Sequence, residues 1–173
     1  MLLKAARAIG VVIYLVLVLL VLQWLTATAF DYDVAVFAAP VIAAVAIGAL
    51  VWLGPREEMW GWFLLVVWVG ARYGDAQLVQ EQLAFLAFAM IGFLGLLFTP
   101  WLIAAAWLVH IGWNFMPREL STYLADLPTF SLIIDVIISA WLGWRIWSAF
   151  RPLRPLISFI PAEDPDRPAP PGD

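Results

Sequence analysis

Residues 83–116, LAFLAFAMIGFLGLLFTPWLIAAAWLVHIGWNFM, decide the fold of this chain. A helix crosses roughly 30 Å of hydrocarbon with about 20 apolar residues, and this apolar stretch is too long for one ordinary span. Thr99 and Pro100 lie at its middle, where a proline either kinks a helix or begins a new one. The stretch therefore predicts either one kinked helix or two short helices joined by a tight turn.

The composition predicts an integral membrane protein. Of the 173 residues, 65% are hydrophobic and only 13% are charged, more apolar surface than a soluble domain of this size keeps away from water. The chain has no cysteine and one histidine, so the usual metal, iron–sulfur and disulfide sites lack their ligands, and we expect no metal and no cofactor. A net charge of -4 with scattered basic residues argues against nucleic-acid binding.

Four further apolar runs predict spans outside residues 83–116. They cover 8–28, 34–53, 55–74 and 129–150. The third of these begins well, because Pro55 is suited to a first helical turn and Glu57 and Glu58 lie near the positive end of the helix dipole. The count is therefore five spans if residues 83–116 form one helix, and six if they form two.

The positive-inside rule favours six spans. With the amino terminus in the cytoplasm, six spans leave only Arg72 and Arg118 outside, whereas five spans would place four basic residues inside and five outside. The basic residues on the inside are then Lys4, Arg7, Arg56, Arg145, Arg151, Arg154 and Arg167. We expect an all-α, polytopic transmembrane bundle of six helices in a bacterial plasma membrane, with both termini cytoplasmic.

The two ends of the chain differ from this bundle. Residues 1–150 form the predicted transmembrane bundle, and residues 151–173, rich in proline, are predicted to be a disordered cytoplasmic tail. Near the amino terminus, basic residues, an apolar stretch and Ala27-Thr28-Ala29 resemble a secretory signal with its cleavage site. The apolar stretch is long for a signal, so we expect the first span to be retained.

Polar residues share one face on each of the last two predicted helices. At about 100° per residue, Trp107, His110 and Asn114 fall within an arc of about 60°. On the following helix, polar residues recur every four positions, as Ser131, Asp135 and Ser139.

The two faces lie at matching depth. His110 precedes Pro117 by as many residues as Asp135 follows Pro128, which puts both about 10 Å below the outer boundary at 1.5 Å per residue. An isolated carboxylate at that depth is costly, so we expect Asp135 to be neutral, open to water, or paired with His110. Gln23 on the first span and Trp113 at the outer boundary complete the predicted layer.

These residues predict a polar pocket on the non-cytoplasmic side, and its role has three interpretations. The simplest is hydrogen bonding between helices, worth about 0.6 to 2 kcal/mol per bond. The second is binding of a membrane lipid or of a lipid-like or quinone-like amphiphile. The third is catalysis on a lipid, with His110 as general base oriented by Asp135. We expect a non-enzymatic protein that binds an amphiphile or a membrane partner.

Other functional classes are the less favoured alternatives. A non-enzymatic binding protein of this kind could also be an accessory subunit of a larger membrane complex or a homo-oligomer; the runner-up is the lipid-processing enzyme, and a small permease component is the third class. A small permease needs a continuous polar path through the bilayer. Residues 101–109, below His110 on its helix, are all apolar.

The pattern W-L-x-H-x-x-W-N at 107–114, followed by a proline, a polar loop and Asp135, resembles a motif of a family of small bacterial inner-membrane proteins of unknown function. The resemblance covers about a quarter of the chain. It carries over His110, Trp113 and Asp135, with Asn114 where the family typically has aspartate. Phe115 and Met116 stand where further histidines are common in that family. The resemblance implies a membrane location and no defined activity.

Overall fold

A computed structural model describes residues 2–74, 79–115 and 125–149, with side chains from 5–69, 82–115 and 125–148. Within these ranges the chain forms six helices and no strand: α1 Leu2–Asp31, α2 Ala35–Val51, α3 Pro55–Gly74, α4 Val79–Leu97, α5 Pro100–Trp113 and α6 Leu127–Ala149. The predicted all-α class and the number of helices are confirmed. The predicted tail at 151–173 and the loop residues Asp75 and Arg118 lie outside the described residues, as do the side chains of Arg72 and Glu81.

The apolar stretch at residues 83–116 contains two helices, so the alternative of one kinked helix is wrong. Helix α4 ends at Leu97, and Pro100 occupies the first turn of α5 after an extended Thr99. Helices α4 and α5 run antiparallel to each other. Two contacts show this: Gly95 lies against Ile103 close to the turn, and Phe88 lies against His110 at a greater distance from the turn. The proline begins a helix here because its fixed φ suits the first turn and its missing N–H has no partner to lose there.

Gly95 makes this hairpin possible. A Cβ atom at this position would lie 2.8 Å from the backbone nitrogen of Ile103, closer than two such atoms approach. Only glycine therefore allows α4 and α5 to pack backbone to backbone beside the turn.

The helices alternate in direction through the bundle. Tyr14 in the first half of α1 donates a hydrogen bond to the Ala49 carbonyl near the end of α2, at 2.6 Å. Phe30 at the end of α1 packs edge-on against Phe130 at the start of α6. We call this end, where α1, α3 and α5 finish, the upper end, and the opposite end the lower end.

The outer surface of the bundle is apolar. Helix α1 exposes Val12, Val16 and Leu20, and Phe37 and Trp52 are among the most exposed side chains. Two stretches, Ala5–Asp31 and Leu127–Ser148, are long and apolar enough to cross a membrane. The apolar parts of α2, α4 and α5 are shorter, at 17 residues or fewer. Large exposed apolar surface marks contact with lipid or with another protein.

Aromatic rings connect the middle of the bundle. Trp62 of α3 and Trp107 of α5 are buried and pack edge-to-face, with ring centroids 6.5 Å apart. Trp62 also reaches toward the lower end through Glu58, and Trp107 lies one turn below His110. The buried polar residues Glu58 and His110 thus lie on opposite sides of this tryptophan pair, Glu58 toward the lower end and His110 toward the upper end.

Candidate functional site

A buried carboxylate, Asp135, is the centre of the polar cluster between α5 and α6. His110 Nδ1 lies 2.7 Å from Asp135 Oδ2, and the Asn114 amide donates to the same oxygen at 2.7 Å. The Ser131 hydroxyl, one turn before Asp135, donates to it from 3.4 Å. The antiparallel packing of α5 and α6 produces this meeting, because it brings the two polar faces to the same depth. The predicted proximity of His110, Asn114 and Asp135 is what the structure shows.

The two oxygens of this carboxylate have different surroundings. Oδ2 is approached by all three donors, whereas Oδ1 is buried and has no hydrogen-bond partner among the described residues. Asp135 is only 1% exposed. A buried acceptor without a donor costs about 1 to 3 kcal/mol, so Oδ1 is a place where an added donor would stabilise the protein.

Asp135 also lines a cavity of about 300 Å³. The wall is mostly apolar and comes from α1, α2, α3, α5 and α6. Its polar members include Thr26, Ser131, Asp135 and the indole of Trp107, and the Thr26 hydroxyl is already bonded to the Leu22 carbonyl. The apolar members are Leu22, Ala27, Phe30, Ile42, Ala43, Ala46, Leu65, Trp68, Val69, Leu127, Phe130, Ile134 and Ile138.

Trp107 is another buried residue with a polar atom among those that line the cavity. Its side chain is buried, and its Nε1 has no hydrogen-bond partner within the described ranges. Trp107 lies one turn before His110 on α5, so it shares the face that meets Asp135. Trp107 therefore brings a polar side chain to the cavity from α5, as Asp135 does from α6.

His110 and Asn114 lie behind Asp135 and not on the cavity wall. His110 is buried, and the centroid of its ring lies 5.1 Å from that of Phe88, which packs against it edge-to-face. The space beside it is about 10 Å³, roughly enough for one water molecule. From the sequence, His110, Asn114 and Asp135 are expected to line one pocket together. In the structure Asp135 is among the residues that line the large cavity, whereas His110 and Asn114 are not and contact Asp135 Oδ2.

The remaining predicted residues lie at the margin of this site. Trp113 packs against Phe88, with ring centroids 6.3 Å apart. Ser139 is half-buried, and its hydroxyl has no partner among the described side chains and backbone. Gln23 is half-buried beside Leu22. None of these three residues is among the described lining of the cavity.

A buried ion pair near the lower end was not predicted. Glu58 of α3 is fully buried, and the Arg145 guanidinium of α6 donates to both of its carboxylate oxygens at 3.0 to 3.3 Å. In the sequence analysis, Arg145 is placed only among the basic residues on the cytoplasmic side. Depth comparison, which relates His110 to Asp135, would also have paired Glu58 at the start of one helix with Arg145 at the end of another.

The described part of the chain contains no group of three or more His, Asp or Glu side chains that could hold a metal ion. No protein-family model, curated protein or solved structure matches the chain. The resemblance based on the W-L-x-H-x-x-W-N pattern therefore stays a prediction.

Proposed function

We propose that this chain is a non-enzymatic, multi-pass plasma-membrane protein that binds an amphiphile in the cavity beside Asp135. The observation that carries the proposal is a largely apolar cavity of about 300 Å³ whose lining residues include the buried Asp135. An apolar tail would occupy the apolar part of the cavity, and a polar head would meet the carboxylate. Pockets with apolar walls and a few convergent polar groups are the usual form of small-molecule sites.

Six spans with both termini in the cytoplasm are part of the proposal. The alternating direction of the helices and the apolar outer surface support it. Helices α2, α4 and α5 are short for a full crossing, and their pairing with longer neighbours would let the bilayer thin locally around them. In this arrangement the upper end faces the non-cytoplasmic side, and the cavity lies in that half of the membrane.

Retention of the first span belongs to the same proposal. Leu22, Thr26 and Phe30 of α1 line the cavity, although an N-terminal helix of this kind resembles a secretory signal. Cleavage after Ala29 would remove one wall of the site. We therefore propose that α1 stays in place.

Binding fits the geometry better than the lipid-processing alternative. A general base must reach the proton that it removes from a substrate, directly or through one water molecule. His110 is buried against Phe88 beside a space of about 10 Å³, and the residues that line the large cavity include Asp135 but not His110. His110 is better placed to hold Asp135 than to act on a substrate.

Filling the cavity tests the proposal. Ala46 is buried on the wall of the cavity, and Ala46→Phe would occupy that space without touching the polar cluster. Native mass spectrometry of protein taken from its own membranes should show one defined small molecule on the wild type and none on Ala46→Phe. Ala43→Leu, at another cavity-lining position, repeats the test with a smaller side chain.

Ala44→Phe is the matched control, because Ala44 is exposed on the outer face of the same helix. This variant should keep the bound molecule, and circular dichroism should show all variants folded. Absence of a defined species on the wild type, or its retention by both filled variants, would overturn the proposal. The search would then move to a protein partner on the apolar surface.

A further inference from the structure

We infer that the apolar part of the ligand is one extended hydrocarbon chain of about twelve carbons, lying along the helix axes in the upper half of the bundle. This inference rests on the proposed function, since it names the class of molecule that the cavity takes. It selects amphiphiles with a single straight tail over those with a fused ring. The length, the volume, the floor and the wall of the cavity lead to this class.

The cavity is long and runs parallel to the helices. On α6 its lining begins at Leu127 and ends at Ile138, a distance of about 16 Å at 1.5 Å per residue. Helix α2 also descends from the upper end, and its last lining residue, Ala46, lies about 16 Å below Ala35. The two helices therefore give one depth for the lower end of the cavity, close to half of the roughly 30 Å of hydrocarbon in a bilayer.

The volume of the cavity matches one chain of this length. Apolar cavities of about 150 Å³ bind one benzene molecule. At about 300 Å³, this cavity holds about twice as many carbon atoms, or about twelve. An extended chain of that size is about as long as the cavity, whereas a fused ring or cage of the same size is much shorter and would leave one end empty.

The lower end of the cavity is closed. Ala46 and Ile138 are buried there, and one turn below them Leu50 and Leu142 are 1% and 0% exposed. Neither leucine is among the described lining residues. A chain in the cavity therefore meets a floor of packed side chains, and the position of this floor limits its length.

The wall suits hydrocarbon along most of this length. Side chains such as Leu22, Leu65 and Ile134 come from three different helices. The hydroxyls on the wall already have partners in the protein, since Thr26 donates to the Leu22 carbonyl and Ser131 donates to Asp135. A chain of methylene groups can therefore lie against this wall without displacing a hydrogen bond.

The test is a competition between alcohols that differ only in their apolar part. Dodecanol with a photoreactive diazirine on its chain is added to the full chain in lipid nanodiscs, and unlabelled alcohols displace it. Mass spectrometry measures labelling of peptides that contain the cavity residues Leu65, Phe130 and Ile134, relative to peptides on the outer surface. All concentrations are expressed per bilayer lipid, so that partitioning into the membrane does not enter the comparison.

Straight alcohols should displace the probe better as they lengthen to about twelve carbons, and no better beyond that length. A cage alcohol with the same number of carbons should need at least about fivefold more to displace half of the probe, because its shape forces the packed wall apart.

Ile138→Ala should lengthen the preferred chain. The substitution shortens the side chain at the floor of the cavity, so the length at which displacement levels off should rise from about twelve to about fourteen carbons. Val136→Ala is the matched control, because Val136 is 49% exposed on the outward side of the same helix and should leave this length unchanged.

Ala46→Leu makes the opposite change at the floor and serves if Ile138→Ala does not fold. The preferred length should fall to about ten carbons. Ala44→Leu adds the same side chain on the exposed face of α2 and should have no effect on the preferred length.

The chain has two sources, a free single-chain amphiphile or one tail of a two-chain bilayer lipid. The mass of the species that native mass spectrometry finds on the wild type distinguishes them, and either one supports the inference. A bound species built on a fused ring overturns it.

The outcomes separate this inference from the proposed function. If the probe labels the cavity peptides no more than peptides on the outer surface, both are overturned. If the probe labels them but the cage alcohol displaces it as well as dodecanol does, the cavity binds amphiphiles and the single extended chain is wrong. A preferred length that stays the same in folded Ile138→Ala and Ala46→Leu would equally contradict the inference.

Discussion

The two oxygens of the buried Asp135 side chain have unequal surroundings. A carboxylate with donors on both oxygens would join α5 to α6 and have no oxygen without a hydrogen-bond donor. Here His110 and Asn114 hold Oδ2 at 2.7 Å, and Oδ1 has no donor among the described residues. These two residues therefore fix the orientation of Asp135, which is among the residues that line the cavity.

The proximity of His110 and Asp135 could be predicted from the sequence, but the finer geometry of the site could not. Spacing along the helices shows that His110 and Asp135 share a depth, since depth follows from the rise per residue. Which oxygen receives the donors depends on side-chain rotamers, and the cavity depends on five helices packing imperfectly. Neither is encoded in a local pattern, so Asp135 could be predicted as a site residue but Ala46 could not.

The Glu58–Arg145 ion pair should contribute more to the stability of the bundle than the Arg7–Glu57 pair does. Arg145→Met leaves the fully buried Glu58 carboxylate without its counter-ion, and breaking a buried pair in this way costs about 3 to 5 kcal/mol. Arg7→Met makes the same chemical change in the more exposed Arg7–Glu57 pair, where the cost should be under about 1 kcal/mol. Unfolding in mild detergent measures both, and equal losses would contradict the assigned difference between the pairs.

At the scale of elements, the α4–α5 hairpin determines where the site residues lie. Two short antiparallel helices bring His110 back to the upper end of the bundle, at the level of Phe88. One kinked helix would have continued past Pro100 and placed His110 far from α6. The number of helices could be predicted from basic residues and one proline, but the contact of Gly95 with Ile103 could not, because it depends on the crossing geometry of the pair.

Gly95→Ala should open this hairpin. The added methyl group would lie within contact of the Ile103 backbone, and overpacking of this kind costs about 1 to 3 kcal/mol. Gly112→Ala is the control on the other arm, because a Cβ at this position meets nothing within 4 Å, so its stability should equal or slightly exceed that of the wild type. Thermal unfolding of the two variants side by side gives the result, and a Gly95→Ala protein as stable as Gly112→Ala would rule out the close approach.

At the scale of the whole molecule, the bundle combines a polar interior with an apolar exterior. The interior has a carboxylate cluster toward the upper end and an ion pair toward the lower end, with the Trp62–Trp107 pair between them. The exterior exposes large aliphatic and aromatic side chains. This distribution suits a protein whose surroundings are lipid, and it places the cavity in one half of the proposed bilayer.

In the proposed arrangement the bundle spans the membrane six times with its cavity in the outer half, and the accessibility of single cysteines in intact cells is the measurement that tests it. The chain has no cysteine, so single replacements of the exposed residues Tyr32, Trp52, Phe98 and Ala125 can be labelled in intact cells with a membrane-impermeant maleimide. Tyr32→Cys and Ala125→Cys should be labelled from outside, whereas Trp52→Cys and Phe98→Cys should react only after the cells are opened. Labelling of Phe98→Cys from outside, or of all four positions alike, would contradict the six-span arrangement and the place it gives to the site.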